Sequence, residues 1–300
     1  MNYLDKNIWL FNLSLLLRVR IVNIVMLFCS MYISAIFLFG ENKGVIENLK
    51  SIKLHGIIFS SILSAMAGYI INFFYDQDKD KIYRPITTKL QRFIKQSTAL
   101  RIYILLNSIS LIIAALLSYR IFIFFLFYQF IIWLYSHKFS KVIFINNFIN
   151  SILMLFPFLA LFLFYENFSK HILYLAFFLF LLMLIKDICK DLDSYKFDNI
   201  FNYHTLPNTI GVVYTKAILD VLLVFLSLTS IFLAFQKHLY EIRLYYLLTA
   251  FLCLNSGIFI WFIKTSKINS LILMIKFWIF LGTISLLFIN GNPLPLHILE

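Results

Sequence analysis

The sequence predicts an all-α, polytopic membrane protein with nine transmembrane helices, and three observations carry that reading. Hydrophobic residues make up 62% of the 300 positions and charged residues only 13%, where a soluble domain carries about a quarter charged. Nine apolar segments are each long enough to cross a bilayer, which takes about 20 helical residues. Lysine and arginine fall unequally on the two sides those segments define.

Residues 1–18 carry Lys6, Trp9, Phe11 and a leucine-rich stretch that leads to Arg18 and Arg20. No small-residue cleavage signature follows, so residues 1–18 read as an interfacial amphipathic segment ahead of an uncleaved first span. The spans fall near 19–39, 54–75, 100–119, 120–136, 143–165, 171–189, 212–235, 242–263 and 270–290. Only Ser118 to Arg120 separate the third from the fourth, which form either a tight hairpin or a broken pair.

With nine spans, 18 Lys and Arg lie on the side of the N-terminus and seven on the other, while Lys276 sits within the ninth span. This bias places the N-terminus and two long polar stretches, 76–98 and 186–211, in the cytoplasm and Glu300 outside. The chain reads as one domain over 1–300, in the plasma or inner membrane if it is bacterial. Its net charge of +12 belongs to these flanking stretches and implies no nucleic-acid partner. Cys29, Cys189 and Cys253 are too far apart for a disulfide or metal framework.

The first polar stretch opens with NFFYDQDKDKIYRP, residues 72–85. If the second span stays helical through it, Asn72, Asp76 and Asp80 fall at i, i+4 and i+8 on one face. A carboxylate row at a membrane helix end needs a counter-charge. Lys79, Lys81 and Arg84 supply some, from positions that suit the flanks and the following loop, and a bound cation is the other source. The second stretch, KDICKDLDSYKFDNIFNYHTLPNTIG, starts at Lys186. A helix continuing out of the sixth span carries Asp191, Ser194 and Asp198 on one face at i, i+3 and i+7, with Asp187 one turn inward. Each row ends an apolar helix on the same side of the membrane, so the two can face each other across a central cavity open to the cytoplasm. Taken singly, either row has the bland reading of a solvated loop.

Together these residues resemble the UbiA superfamily of intramembrane prenyltransferases, which has nine transmembrane helices and two Asp-rich motifs after the second and sixth. The first motif, NDxxDxxxD, matches Asn72, Asp76 and Asp80, and its usual Arg-Pro matches Arg84 and Pro85. The second, DxxxD followed by TLP and Gly, aligns through Thr205, Leu206, Pro207 and Gly211 and puts Ser194 and Asp198 at its two Asp positions. Tyr135, Ser136, Lys141 and Asn147 are similar to a YS…K…GN stretch that opens the fifth helix, and Arg20 and Asn23 to a first-helix Arg and Asn. The chain departs from the pattern at Phe73, Tyr83 and Ser194. Asp191, one turn from Ser194 on the same face, can replace the lost acidic ligand.

The resemblance implies transfer of a prenyl group from an isoprenoid diphosphate to a lipophilic or membrane-accessible acceptor, with Mg²⁺ held by Asp76, Asp80, Asp191 and Asp198. Arg84 and Lys141 are expected on the phosphates with Arg20 and Lys190 behind them, and Asn72, Asn23, Tyr135 and Ser194 complete the substrate contacts. The sequence GYIIN before the first row leans toward glycerol-phosphate or quinone-precursor acceptors. The chemistry agrees, because Mg²⁺ prefers a few carboxylates together with waters and substrate phosphate oxygens. Two other readings are a diverged relative that binds an isoprenoid diphosphate without transfer, and a transporter. Transporters place ionisable residues near the bilayer midplane, whereas these acidic residues gather at one mouth.

Overall fold

The computed structural model of the chain describes residues 3–40, 44–83, 85–91, 93–166, 169–262 and 268–289, with side chains from residue 9 onward. The described helices, in chain order, are α1 (Tyr3–Arg18), α2 (Ile21–Ser34), α3 (Val45–Lys50), α4 (Ile52–Tyr83), α5 (Pro85–Gln91), α6 (Gln96–Leu117) and α7 (Tyr119–His137). They continue with α8 (Ile145–Tyr165), α9 (Lys170–Ile200), α10 (Leu206–Thr209), α11 (Val212–Ala234), α12 (Arg243–Phe262) and α13 (Ile268–Ser285). Nine helices among the described residues are long and apolar enough to cross a membrane. They are α2 with the π turn Ala35–Phe39, then α4, α6, α7, α8, α9, α11, α12 and α13 with their short flanking turns.

The boundary between the third and fourth spans is a single residue. Ser118 leaves helical geometry at φ −172°, and its hydroxyl accepts from the Ile121 backbone N–H at 3.2 Å. A serine N-cap that satisfies an orphan amide of the next helix is thus the device that divides α6 from α7. The pair then packs on α4 through small polar residues. Ser60 and Ser110 each donate to the other's carbonyl, at 3.2 and 2.9 Å. Gln129 donates to Ser64 at 3.1 Å. In lipid, small side chains let backbones approach and buried hydroxyls serve as the glue.

At the N-terminus, α1 is too short to span and lies against α5. Arg18 donates to the carbonyls of Gln91 and Ile94, both at 2.6 Å, and its guanidinium stands 4.8 Å from the centre of the Phe73 ring. Ser14 adds a bond to the Gln91 carbonyl at 2.9 Å. This lash fixes the far end of α4, where the first acidic row lies.

Both polar stretches are largely helical, as the continuous-helix reading of the two rows requires. α4 has 32 residues and α9 has 31, so each runs on past its apolar part and carries its acidic row as ordered helix. The reason is tertiary: Asp76, Asp191 and Asp198 find partners elsewhere in the bundle, so the backbone need not break to satisfy them.

Candidate active site

On α4 the polar face begins at Asn72, whose Oδ1 is buried with no hydrogen-bond partner among the described residues and which lines a cavity of ≈ 410 Å³. One turn on, Asp76 Oδ1 accepts from the Tyr203 hydroxyl at 2.7 Å. Asp80 lies a further turn out, its carbonyl capped by the Thr88 hydroxyl at 2.8 Å. Tyr203 sits just past the end of α9, where its N–H bonds the Asp198 carbonyl at 3.0 Å. Burial pushes its phenol well above the ordinary range and the Asp76 carboxylate pushes it further, so Tyr203 remains a donor at neutral pH.

On α9 the second row is buried. Asp198 is 0% exposed, accepts from Ser194 Oγ at 2.7 Å and forms an ion pair with Lys79. The Lys79 ammonium also stands 4.5 Å from the centre of the Tyr203 ring, and Lys141 lies 5.1 Å from that centre. Lys79 therefore joins α4 to α9, where the sequence reading had left it on the flank. Lys81 keeps the flank position, paired with exposed Asp78.

Further inward, α8 supplies a clamp. Asn147 Nδ2 donates to Asp191 at 2.8 Å and to Asp187 at 3.1 Å, Asn150 donates to Asp187 at 2.6 Å, and Asn146 reaches Asp191 at 3.5 Å. Tyr135, from α7, donates to the side-chain Oδ1 of Asn146 at 2.7 Å and fixes the orientation of that side-chain amide. A carboxylate buried in lipid is costly unless such donors surround it, and three asparagines provide them here. Asp191 is thus close to Ser194 yet engaged with α8. Departing Tyr83 also has a task, since its hydroxyl donates to Asp193.

The cavity lies beneath this mouth. Arg20, Asn23, Tyr135, Asp187 and Lys190 join Asn72 in its wall, and Leu38, Phe158, Leu161, Leu175 and Phe178 line its apolar part. Arg20 takes a left-handed conformation, φ 52°, at the start of α2, and its guanidinium stands 5.1 Å from the centre of the Tyr69 ring. Asn23 donates to the Tyr69 hydroxyl at 3.3 Å. Arg84 lies outside the described residues. The other predicted side chains gather at the mouth or in the cavity wall. Sequence reasoning missed Asn146, Asn150, Tyr203 and the inward reach of Lys79. Asparagines in an apolar span were the available signal for the first two.

The donors suit a hard divalent cation. They are carboxylate and amide oxygens, and in the cavity wall Asn72 Oδ1 is a buried acceptor with no hydrogen-bond partner among the described residues. Among the described residues no three acidic, His or Cys side chains converge as a ready metal cage. That is compatible with Mg²⁺, which completes its shell with water and substrate oxygens.

Comparison with known proteins agrees with this architecture. Over 200 residues the chain is 30% identical to a digeranylgeranylglyceryl phosphate synthase of Saccharolobus solfataricus; the match covers 60% of this chain and 65% of that protein's length. Its fold is shared with a UbiA homologue from Archaeoglobus fulgidus bound to DMAPP and Mg²⁺, at a TM-score of 0.70 and 18% identity over 91% of this chain and 97% of that one. A solved digeranylgeranylglyceryl phosphate synthase superposes with a TM-score of 0.65 at 18% identity, covering 90% and 96% of the two chains. The chain has nine apolar helices of spanning length among its described residues, a sequence model of the UbiA prenyltransferase family matches residues 30–284, and the chain belongs to that family.

Proposed function

We propose that this protein transfers a prenyl group from an isoprenoid diphosphate to a membrane-accessible acceptor of the glycerol-phosphate type, with Mg²⁺ as cofactor. The observation that carries the reading is the meeting of two polar rows, Asn72–Asp76–Asp80 and Asp191–Ser194–Asp198, above an apolar cavity. The relative from Saccharolobus solfataricus, a digeranylgeranylglyceryl phosphate synthase, supports the choice of acceptor, and the homologue solved with DMAPP and Mg²⁺ supports the donor and the cofactor.

Asp76, Asp80, Asp191 and Asp198, with Asn72, would hold the cation. When bound it neutralises the diphosphate and makes it a better leaving group. Lys141 and Arg84 take the phosphate oxygens, and Arg20 and Lys190 support them from the cavity wall. The donor's allylic C–O bond breaks with its electron pair on the diphosphate. The prenyl chain lies in the apolar part of the cavity, which excludes the water that would otherwise trap the cation. Tyr69, Tyr128 and Tyr135, all in the cavity wall, present aromatic rings to the positive charge. An oxygen of the acceptor forms the new bond to the allylic carbon, and its proton leaves with the diphosphate. The basic bias of the loops orients the mouth and the N-terminus to the cytoplasm and the C-terminus outside.

The test is a product assay by mass spectrometry on the purified chain, with prenyl diphosphates of several lengths and a panel of acceptors. Chelation of Mg²⁺ is expected to abolish product, and transfer that persists in chelator overturns the metal role. Diphosphate binding that depends on Mg²⁺ with no product from any acceptor would favour a binding protein instead. Tyr203→Phe, which keeps the ring beneath Lys79 and Lys141 but removes the bond to Asp76, is expected to weaken the Mg²⁺ dependence of transfer by about tenfold, as loss of an orienting partner typically does. A Mg²⁺ titration shifted by less than about twofold would deny Tyr203 an orienting role.

A further inference from the structure

Asp80 is the least supported of the four carboxylates at the mouth. Asp76 is held by Tyr203, Asp191 by Asn147, and Asp198 by Lys79 and Ser194. The Asp80 carboxylate makes no hydrogen bond or ion pair among the described residues, and Asp76, Arg20, Lys190 and Lys79 act on it only through space. Its place is set through its backbone, whose carbonyl accepts from the buried Thr88 hydroxyl of α5 at 2.8 Å. Where Asp80 stands therefore depends on where α5 sits.

α5 has seven residues, too few to hold its shape by helical bonds alone, and α1 holds it. Arg18, 3% exposed, donates from Nε to the Gln91 carbonyl and from Nη2 to the Ile94 carbonyl. Gln91 ends α5, and a guanidinium there satisfies carbonyls that the helix leaves open and complements the negative end of its dipole. Gln91 Nε2 returns a bond to the Leu17 carbonyl at 3.0 Å. The Ile94 side chain joins Val19, Ile70 and Ala99 in a small apolar cluster apart from the main core. Arg18 pairs with no carboxylate among the described residues. Burial lowers its pKa to about 10, which leaves it charged at neutral pH. A buried charge is costly, and this one is directed wholly at two main-chain oxygens and the Phe73 ring. Among the described residues none from α1 lines the cavity, so any part α1 plays at the site passes through α5.

We propose that Arg18 is a positioning residue for Asp80: it seats α5 through the carbonyls of Gln91 and Ile94, and Thr88 passes that seating to Asp80. This rests on the Mg²⁺-dependent transfer reading and gives the N-terminal helix a part in it. Without Arg18 the end of α5 loses its donors, the bond from Thr88 loosens, and the cation must order Asp80 itself. The loss then falls on Mg²⁺ affinity. Once the cation is bound the ligand is in place and the rate is restored.

The test uses the full chain in nanodiscs, with Mg²⁺ titrated against geranyl diphosphate binding and, separately, against prenyl transfer. Arg18→Met is expected to raise the Mg²⁺ concentration for half-maximal binding about tenfold, the usual size of a lost orienting partner. Its kcat at saturating Mg²⁺ stays within about threefold of the parent. Arg18→Lys, which keeps the charge and one of the two bonds, shifts the midpoint by about threefold. Thr88→Val shifts it about as far as Arg18→Met, and combining the two adds less than about twofold, because both break one path. Ser14→Ala, which removes another donor from the Gln91 carbonyl, leaves the midpoint within about twofold. Without Mg²⁺, hydrogen exchange over residues 85–91 is expected to quicken in Arg18→Met. An unchanged Mg²⁺ midpoint in Arg18→Met, with only the melting temperature or folded yield lowered, makes Arg18 a structural tie and overturns the proposal. Single shifts that multiply in the double variant overturn it too. A parent that binds geranyl diphosphate with Mg²⁺ but yields no product sinks the transfer reading, and the binding titration still decides the role of Arg18. Diphosphate binding indifferent to Mg²⁺ overturns both. Should Arg18→Met fail to fold, Thr88→Val carries the comparison, and an unchanged midpoint there overturns the proposal.

Discussion

Asp76→Ala is expected to lower prenyl transfer by at least about 100-fold, while Asp78→Ala, two residues away, changes it by less than about twofold. The contrast follows from the helix. Asp76 faces the bundle and accepts from the buried Tyr203 hydroxyl at 2.7 Å, whereas Asp78 has 77% of its side-chain surface exposed and pairs with Lys81. An exposed pair of that kind contributes little. A carboxylate placed to neutralise a leaving diphosphate acts only as charge develops, which is where lost stabilisation costs most rate. Steady-state rates at saturating Mg²⁺, with a melting curve for each variant, make the comparison. Equal losses at the two positions would mean that the string DQDKD acts as a diffuse acidic patch and that the helical face has no special role.

Much of this was legible in the chain. Hydropathy placed the spans, because a bilayer demands apolar length and helical backbone. The spacing of Asn72, Asp76 and Asp80 foretold one face, and the structure keeps those residues on one helix. The ends of the helices were less readable. Apolar content stops near 75 and 189, yet α4 reaches Tyr83 and α9 reaches Ile200, since polar residues with partners inside the bundle cost a helix nothing. The partners themselves lie far off in sequence. Asn147 and Asp191 are 44 residues apart, and Tyr203 and Asp76 are 127 apart. Such pairings depend on how helices rotate against each other, which no single-helix periodicity reports. Lys79 escaped although its spacing, i+3 from Asp76 and i+7 from Asn72, puts it on the face of the row; a charge beside a carboxylate row reads equally well as a solvated flank until the facing helix is in place.

Lys79 itself gives the second large effect. Lys79→Met is expected to destabilise the protein by about 3 kcal/mol in the absence of divalent cations, because removing one partner of a buried ion pair strands the other. Asp198 is fully buried and the Lys79 side chain is 13% exposed, so neither charge has water to fall back on. Lys79 is also an electrostatic neighbour of Asp76 and Asp191, and its loss removes a positive charge shared by the three carboxylates. Replacing both members, Lys79→Met with Asp198→Leu, is expected to recover most of the loss, since a well-packed apolar pair can match a buried ionic one. The discriminating measurement is the melting temperature with and without Mg²⁺. A cation that binds the folded state raises its stability by mass action, and one that takes over from the missing ammonium does so most where the ammonium is absent. Millimolar Mg²⁺ is therefore expected to raise the melting temperature of Lys79→Met by more than that of the parent, with sodium at equal ionic strength giving no such gain. If Mg²⁺ shifts both proteins equally, Lys79 is an ordinary structural tie between α4 and α9. If it rescues the variant selectively, the lysine is the internal counter-ion that holds the two acidic rows together until the metal and diphosphate arrive.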